Sequence, residues 1–111
     1  MSLLRILFVC SRNQWRSPTA ERMYRNHSGL EVRSAGTAAS ARRRINRRDL
    51  IWADLVVAME HLHLRRLRDQ FPDEIRNCDT LVLEIPDDYP FMHPDLIERI
   101  EDGLEGYLDP S

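Results

Sequence analysis

With 111 residues, the chain is long enough for one domain with a single core and too short for two, so residues 1–111 are expected to form one unit. A composition of 42% hydrophobic and 31% charged residues is that of a globular protein rather than a disordered or fibrous one. No apolar stretch reaches the roughly 20 residues of a membrane span; the start, Met1-Ser2-Leu3-Leu4-Arg5, lacks signal-peptide features, so a cytoplasmic protein with no membrane partner is expected.

In chain order, Leu3 to Val9 (LLRILFV) is almost continuously apolar, which predicts a strand buried on both faces and ended by Cys10. A helix is expected from near Ser17, with Pro18 at its first position, Ala20, Met23 and Tyr24 on one side, and Gly29 as its stop. LEVRSAG reads as a second strand. Residues 36–48, with the basic run RRRINRR, read as a loop, followed by one helical turn over Asp49 to Ala53. DLVVAM predicts a third buried strand. EHLHLRRLRDQF sets Leu64, Leu67 and Phe71 on one helical face, ended by Pro72. TLVLEI predicts a fourth strand, PDDYPFMHP a turn-rich loop, and Leu96, Ile100, Leu104 and Leu108 a last amphipathic helix. Alternating strands and helices predict a three-layer α/β/α domain on a four-stranded parallel sheet, with its site at the carboxyl ends of the strands.

Charge is segregated along the chain. Residues 1–50 hold eleven arginines against three acids, and residues 51–111 hold five arginines against fifteen acids. Every basic side chain except the histidines is arginine, the residue suited to bidentate contact with phosphate or carboxylate. Such a field can be merely a solvated surface, or it can draw an anionic substrate toward the N-terminal half. Neither the two cysteines, Cys10 and Cys78, nor the four histidines have metal-ligand spacing, so no metal and no other cofactor is expected. No nucleic-acid partner is expected either.

A cysteine at the end of a strand is most often a small buried hydrophobe. FVCSRNQWRSP carries more than that. Between Cys10 and the helix, Ser11, Arg12, Asn13, Gln14 and Trp15 form a loop whose backbone N–H groups can curl around an anion, and the helix N-terminus adds further donors. The same surroundings favour a nucleophilic thiolate. Arg16 can clamp two phosphoryl oxygens at once, Ser17 can donate to the sulfur, and Asn13 tolerates the left-handed backbone that turns N–H groups inward.

The C-x5-R-S pattern after a buried strand resembles the low-molecular-weight protein tyrosine phosphatases. The likeness extends through RSPTAE, SAGT, ADLVVAME and IPDDY, in that order. It implies the phosphotyrosine phosphatase I-like fold and a phosphomonoesterase acting through a phosphocysteine, with a phosphorylated substrate such as a phosphotyrosine protein as partner. On that resemblance Cys10 is the nucleophile, Arg16 the phosphate clamp and Asp87 the general acid. Residues 11 to 17 hold the phosphate, and Tyr89 flanks the substrate ring. The chain departs from the family pattern at Arg12 (commonly Gly), at Trp15 (commonly a second Cys) and at Asp88, where Asp-Pro-Tyr is usual. Asp88 is therefore the alternative acid. The segment between SAGT and WADL is also shorter than usual. Thiol-dependent arsenate reduction on the same fold, and a phosphate- or phosphoprotein-binding module without turnover, remain alternatives. Cys78 is expected to be a structural thiol.

Overall fold

The N-terminal apolar run forms strand β1 (Leu4–Cys10), with Ile6 to Val9 wholly excluded from solvent. A central strand must bury both faces, which is why this segment does not alternate with polar residues. The computed structural model describes residues 3–108. After β1 come helix α1 (Arg16–Tyr24), strand β2 (Leu30–Gly36), helix α2 (Arg47–Trp52) and strand β3 (Leu55–Ala58). Helices α3 (His61–Gln70) and α4 (Pro72–Arg76), strand β4 (Asp79–Val82) and helix α5 (Pro94–Leu108) complete the order. All strand pairs are parallel, and the sheet order is β2-β1-β3-β4.

Alternate residues of the inner strands feed two cores. Ile6, Phe8, Leu55 and Val57 pack with Ala20 of α1 and with Leu96, Ile100 and Leu104 of α5. Leu7, Val9, Val56 and Ala58 pack on the other face with Leu50 of α2, Leu64 and Leu67 of α3, and Ile75 of α4. The result is the expected three-layer α/β/α arrangement. The chain leaves β1 toward the α1/α5 layer and leaves β3 toward the opposite layer. The carboxyl ends of β1 and β3 therefore open a crevice between diverging connections, the place where such sheets bind ligands. No helix among the described residues is long and apolar enough to cross a membrane.

Several element bounds differ from the expectations. Helix α1 ends at Tyr24 rather than at Gly29; Gly29, at φ +85°, instead supplies the left-handed turn into β2. Pro72 ends α3 and also starts α4, which the sequence reading missed. A proline suits the first turn of a helix, and Asp73 and Glu74 complement its N-terminus. The regular ladder of β4 covers only Asp79–Val82 of the expected strand's vicinity. Glu84 adopts φ +56°, yet Leu83 and Ile85 still donate to the carbonyls of Ala58 and Met59 at 3.0 and 2.8 Å. The arginine-rich loop is tied down as well. Asn46 and Asp49 cap α2 reciprocally at 3.1 Å, and the buried Asp49 carboxylate pairs with Arg43 and, at 3.8 Å, with Arg33.

Candidate active site

Cys10 closes β1 opposite Gly36 of β2 and is 3% exposed. From there the chain turns through Ser11 to Trp15 and enters α1 at Arg16. No backbone N–H from Ser11 to Ser17 donates to another backbone group among the described residues, so this run of amides is unspent on the fold. Asn13 makes the turn possible at φ +56°, in the left-handed region that Asn tolerates better than most residues. Its buried side-chain amide donates to the hydroxyls of Ser17 and Ser34, each at 2.9 Å, and Ser34 donates onward to Glu21. Ser17 Oγ accepts from Asn13 and lies 2.9 Å from Cys10 Sγ, nearer than the Ala35 carbonyl at 3.5 Å that is the other acceptor for its proton.

Arg16 is 3% exposed, and its Nη1 is fully engaged: it pairs with Glu60 and donates to the Ile85 carbonyl at 2.8 Å. Nε lies 3.5 Å from Asp87 Oδ1. With Nη1 anchored, the Nε–Nη2 edge is the fork left for an oxyanion. The loop after β4 that carries Asp87 is held at both ends, by Arg16 at Ile85 and by Thr19 Oγ1, which accepts from the Met92 N–H at 2.9 Å.

A cavity of about 450 Å³ sits over these groups, with Cys10 on its wall together with Ser11, Arg12, Gln14, Trp15, Arg16 and Asp87. Of the candidate residues, Asn13 and Ser17 lie buried beneath the loop rather than on the cavity wall. Asp87 lines it and Asp88 does not. Tyr89 is also absent from the wall; its ring packs on the core near His93, at 5.5 Å between centroids, with the Arg99 guanidinium 5.5 Å from its centre. The aromatic group on the wall is Trp15, 43% exposed.

Two residues at the site were not singled out from the sequence as functional candidates. Glu60 follows β3 and holds Arg16. His63, wholly buried, accepts the Glu60 N–H at Nδ1 (3.1 Å), so its proton resides on Nε2 and is donated to Ser11 Oγ at 2.8 Å. Burial above all, then the charge of Arg16, lowers its pKa to about 4 despite Glu60, with Arg66 adding to the effect; the ring is neutral near pH 7. The available signal was position: both residues lie just beyond the carboxyl end of a buried strand. Cys78 is elsewhere. It precedes β4, at the opposite end of a parallel sheet from Cys10, and packs in the other core with its thiol directed at the Leu50 carbonyl, 3.3 Å away. Burial first, then Asp54 and Asp79, raises its pKa, as expected of an inert thiol.

Residues 5–51 match the family described as low molecular weight phosphotyrosine protein phosphatase. No curated protein sequence matches the chain at a comparable level. Among solved structures, the chain is similar to the tyrosine phosphatase Wzb from Escherichia coli K30 in complex with phosphate, at 21% identity over 93% of this chain and 94% of that one, with a TM-score of 0.76. Wzb of Vibrio vulnificus in complex with benzylphosphonate is 21% identical over 99% and 100% of the two chains, with a TM-score of 0.78. The YwlE arginine phosphatase from Geobacillus stearothermophilus is 26% identical over 92% and 93%, with a TM-score of 0.65.

Proposed function

We propose that this chain acts as a low molecular weight tyrosine phosphatase and hydrolyses phosphotyrosine in proteins through a phosphocysteine on Cys10. The observation that carries this reading is the joint presence, on one cavity wall, of a buried cysteine, a run of uncommitted amides, an anchored arginine and an aspartate. In the first step Cys10 sulfur attacks phosphorus. The ester P–O bond breaks, and Asp87 gives its proton to the departing oxygen. The loop amides and the Nε–Nη2 edge of Arg16 hold the three equatorial oxygens, where charge is stabilised without reorganisation. In the second step Asp87 takes a proton from water, which attacks phosphorus; the S–P bond breaks and inorganic phosphate leaves.

Trp15 on the wall favours an aromatic substrate, since an indole can stack on a phenyl phosphate ring. The similarity to an arginine phosphatase makes phosphoarginine the substrate to compare. Arsenate reduction through an internal second thiol finds no support, because Cys78 lies at the far end and the other face of the sheet. The test is hydrolysis of p-nitrophenyl phosphate, a phosphotyrosine peptide and a phosphoarginine peptide by the wild type and by Cys10→Ser. The expected result is turnover of the first two that Cys10→Ser abolishes, with inorganic phosphate still bound. Substantial turnover by Cys10→Ser would remove the phosphocysteine from the mechanism, and preference for phosphoarginine would replace the substrate.

A further inference from the structure

Beside the phosphate cavity lies a second one of about 520 Å³, and the two share Gln14 and Trp15. Its floor is the outer side of the end of α1, where Arg22 in the last turn and Arg25 at the C-cap, still in helical backbone, stand three residues apart on one face. Arg42 closes one side and Phe91 another. Phe91 is 45% exposed and Trp15 43%, two large apolar groups left open to water at the same depression. This groove is built rather than incidental. Arg42 is fixed by its Nε, which donates to the Asn13 carbonyl at 3.0 Å, leaving its terminal nitrogens for another acceptor. The loop that carries Phe91 is tied to α1 at the next residue, where Thr19 Oγ1 accepts the Met92 N–H at 2.9 Å.

The charge of the groove is unbalanced. Arg22, Arg25 and Arg42 meet no carboxylate within ion-pair distance among the described residues. The one acid on the wall, Glu21, accepts from Ser34 and keeps its charge, so three guanidinium groups stand against one carboxylate. A groove with this excess of guanidinium groups around exposed aromatic surface is complementary to carboxylates on a flexible chain. The groove adjoins the phosphate cavity at Gln14 and Trp15, within reach of a polypeptide that places a phosphorylated side chain over Cys10.

We propose that this groove is a second binding site, which takes acidic side chains flanking the phosphorylated residue of a polypeptide substrate. The proposal rests on the phosphatase reading for its substrate class. It adds that the protein selects acidic sequence contexts, through Arg22, Arg25 and Arg42, with Trp15 as the ridge between the two sites.

The test separates the two readings by using binding for one and turnover for the other. In the Cys10→Ser background, which holds substrate without hydrolysing it, affinities are measured for two phosphotyrosine peptides, one flanked on both sides by Asp and Glu and one by Ala. The acidic peptide is expected to bind about tenfold tighter at low salt, the sum of a few exposed ion pairs, and the gap should narrow as salt is raised. Adding Arg22→Glu and Arg25→Glu, one in the last turn of α1 and one at its C-cap and both exposed, should abolish or invert the preference; circular dichroism checks that the fold is kept. Equal affinities for the two peptides, or a preference untouched by the reversals, would overturn the proposal. Binding to phosphatidylserine vesicles that the reversals abolish, with the two peptides bound alike, would assign the groove to a lipid surface and overturn it too. Wild-type hydrolysis of p-nitrophenyl phosphate is followed in parallel. Its absence would sink the phosphatase reading, while the peptide preference would still stand or fall on its own measurement.

Discussion

Asp87 and Asp88 are neighbours with the same chemistry, and only position separates them. Asp87 lines the cavity 3.5 Å from Arg16 Nε, whereas Asp88 lies off the wall and exposed. An acid must reach the leaving oxygen, so geometry favours Asp87 before any consideration of acidity. Asp87→Asn is expected to slow hydrolysis of phenyl and alkyl phosphates by roughly 10²–10⁴-fold. The loss for p-nitrophenyl phosphate should be smaller, since p-nitrophenolate departs without much help from a proton. Steady-state rates across a leaving-group series check this, with Asp88→Asn beside it. A larger, leaving-group-dependent loss at Asp88 would move the role by one residue. At the same scale, Tyr89 shows how a motif residue can be present while its side chain serves packing, leaving Trp15 as the aromatic wall.

Among the elements, β2 constrains the phosphate loop by close approach. Gly36 is registered with Cys10, and a Cβ there would sit 2.5 Å from the Ser11 carbonyl oxygen and 2.6 Å from Ala41 Cβ. The first of these is backbone of the loop itself, so it cannot swing aside as a side chain would. Gly36→Ala is therefore expected to cost about 1–3 kcal/mol of stability and to lower kcat by displacing the loop amides. Gly106→Ala, in α5 with nothing within 4 Å of the added carbon, is the control and should be neutral or slightly stabilising. Thermal melts and turnover of the two variants make the comparison. Similar behaviour of both would mean that β2 does not set the loop's position.

At the scale of the whole molecule, His63 links α3 on one side of the sheet to the Cys10 loop through Ser11. Its folded pKa of about 4 lies below the ordinary 6.5, so the unfolded chain binds a proton that the folded chain refuses. The resulting stability is present in full above about pH 6.5 and is lost as pH falls toward 4, on the order of 3 kcal/mol. Urea unfolding of the wild type between pH 7 and pH 4.5 should show this loss, and His63→Gln should show a flatter profile from a lower starting stability. Parallel profiles would mean that the ring does not carry the acid sensitivity.

Much of the protein was legible in the sequence. The apolar runs LLRILFV and DLVVAM read as strands buried on both faces, and the leucine spacings of α3 and α5 as helix faces. Local period and burial together fix such elements. Cys10, Arg16, Ser17 and Asn13 were legible for a related reason: they lie within one short stretch, so the local chain alone brings them to one loop. Contacts between distant segments were not legible. Glu60 on Arg16 is a pairing across 44 positions and His63 on Ser11 one across 52, and no periodicity encodes either. Nor did spacing reveal that Asp49 is buried among arginines, that Tyr89 turns to the core, or that Arg22, Arg25, Arg42 and Phe91 share a groove. Those depend on the sheet order β2-β1-β3-β4, which brings the ends of non-consecutive strands together. Local sequence determines which segments become strands and helices; the packing of those segments decides which side chains meet.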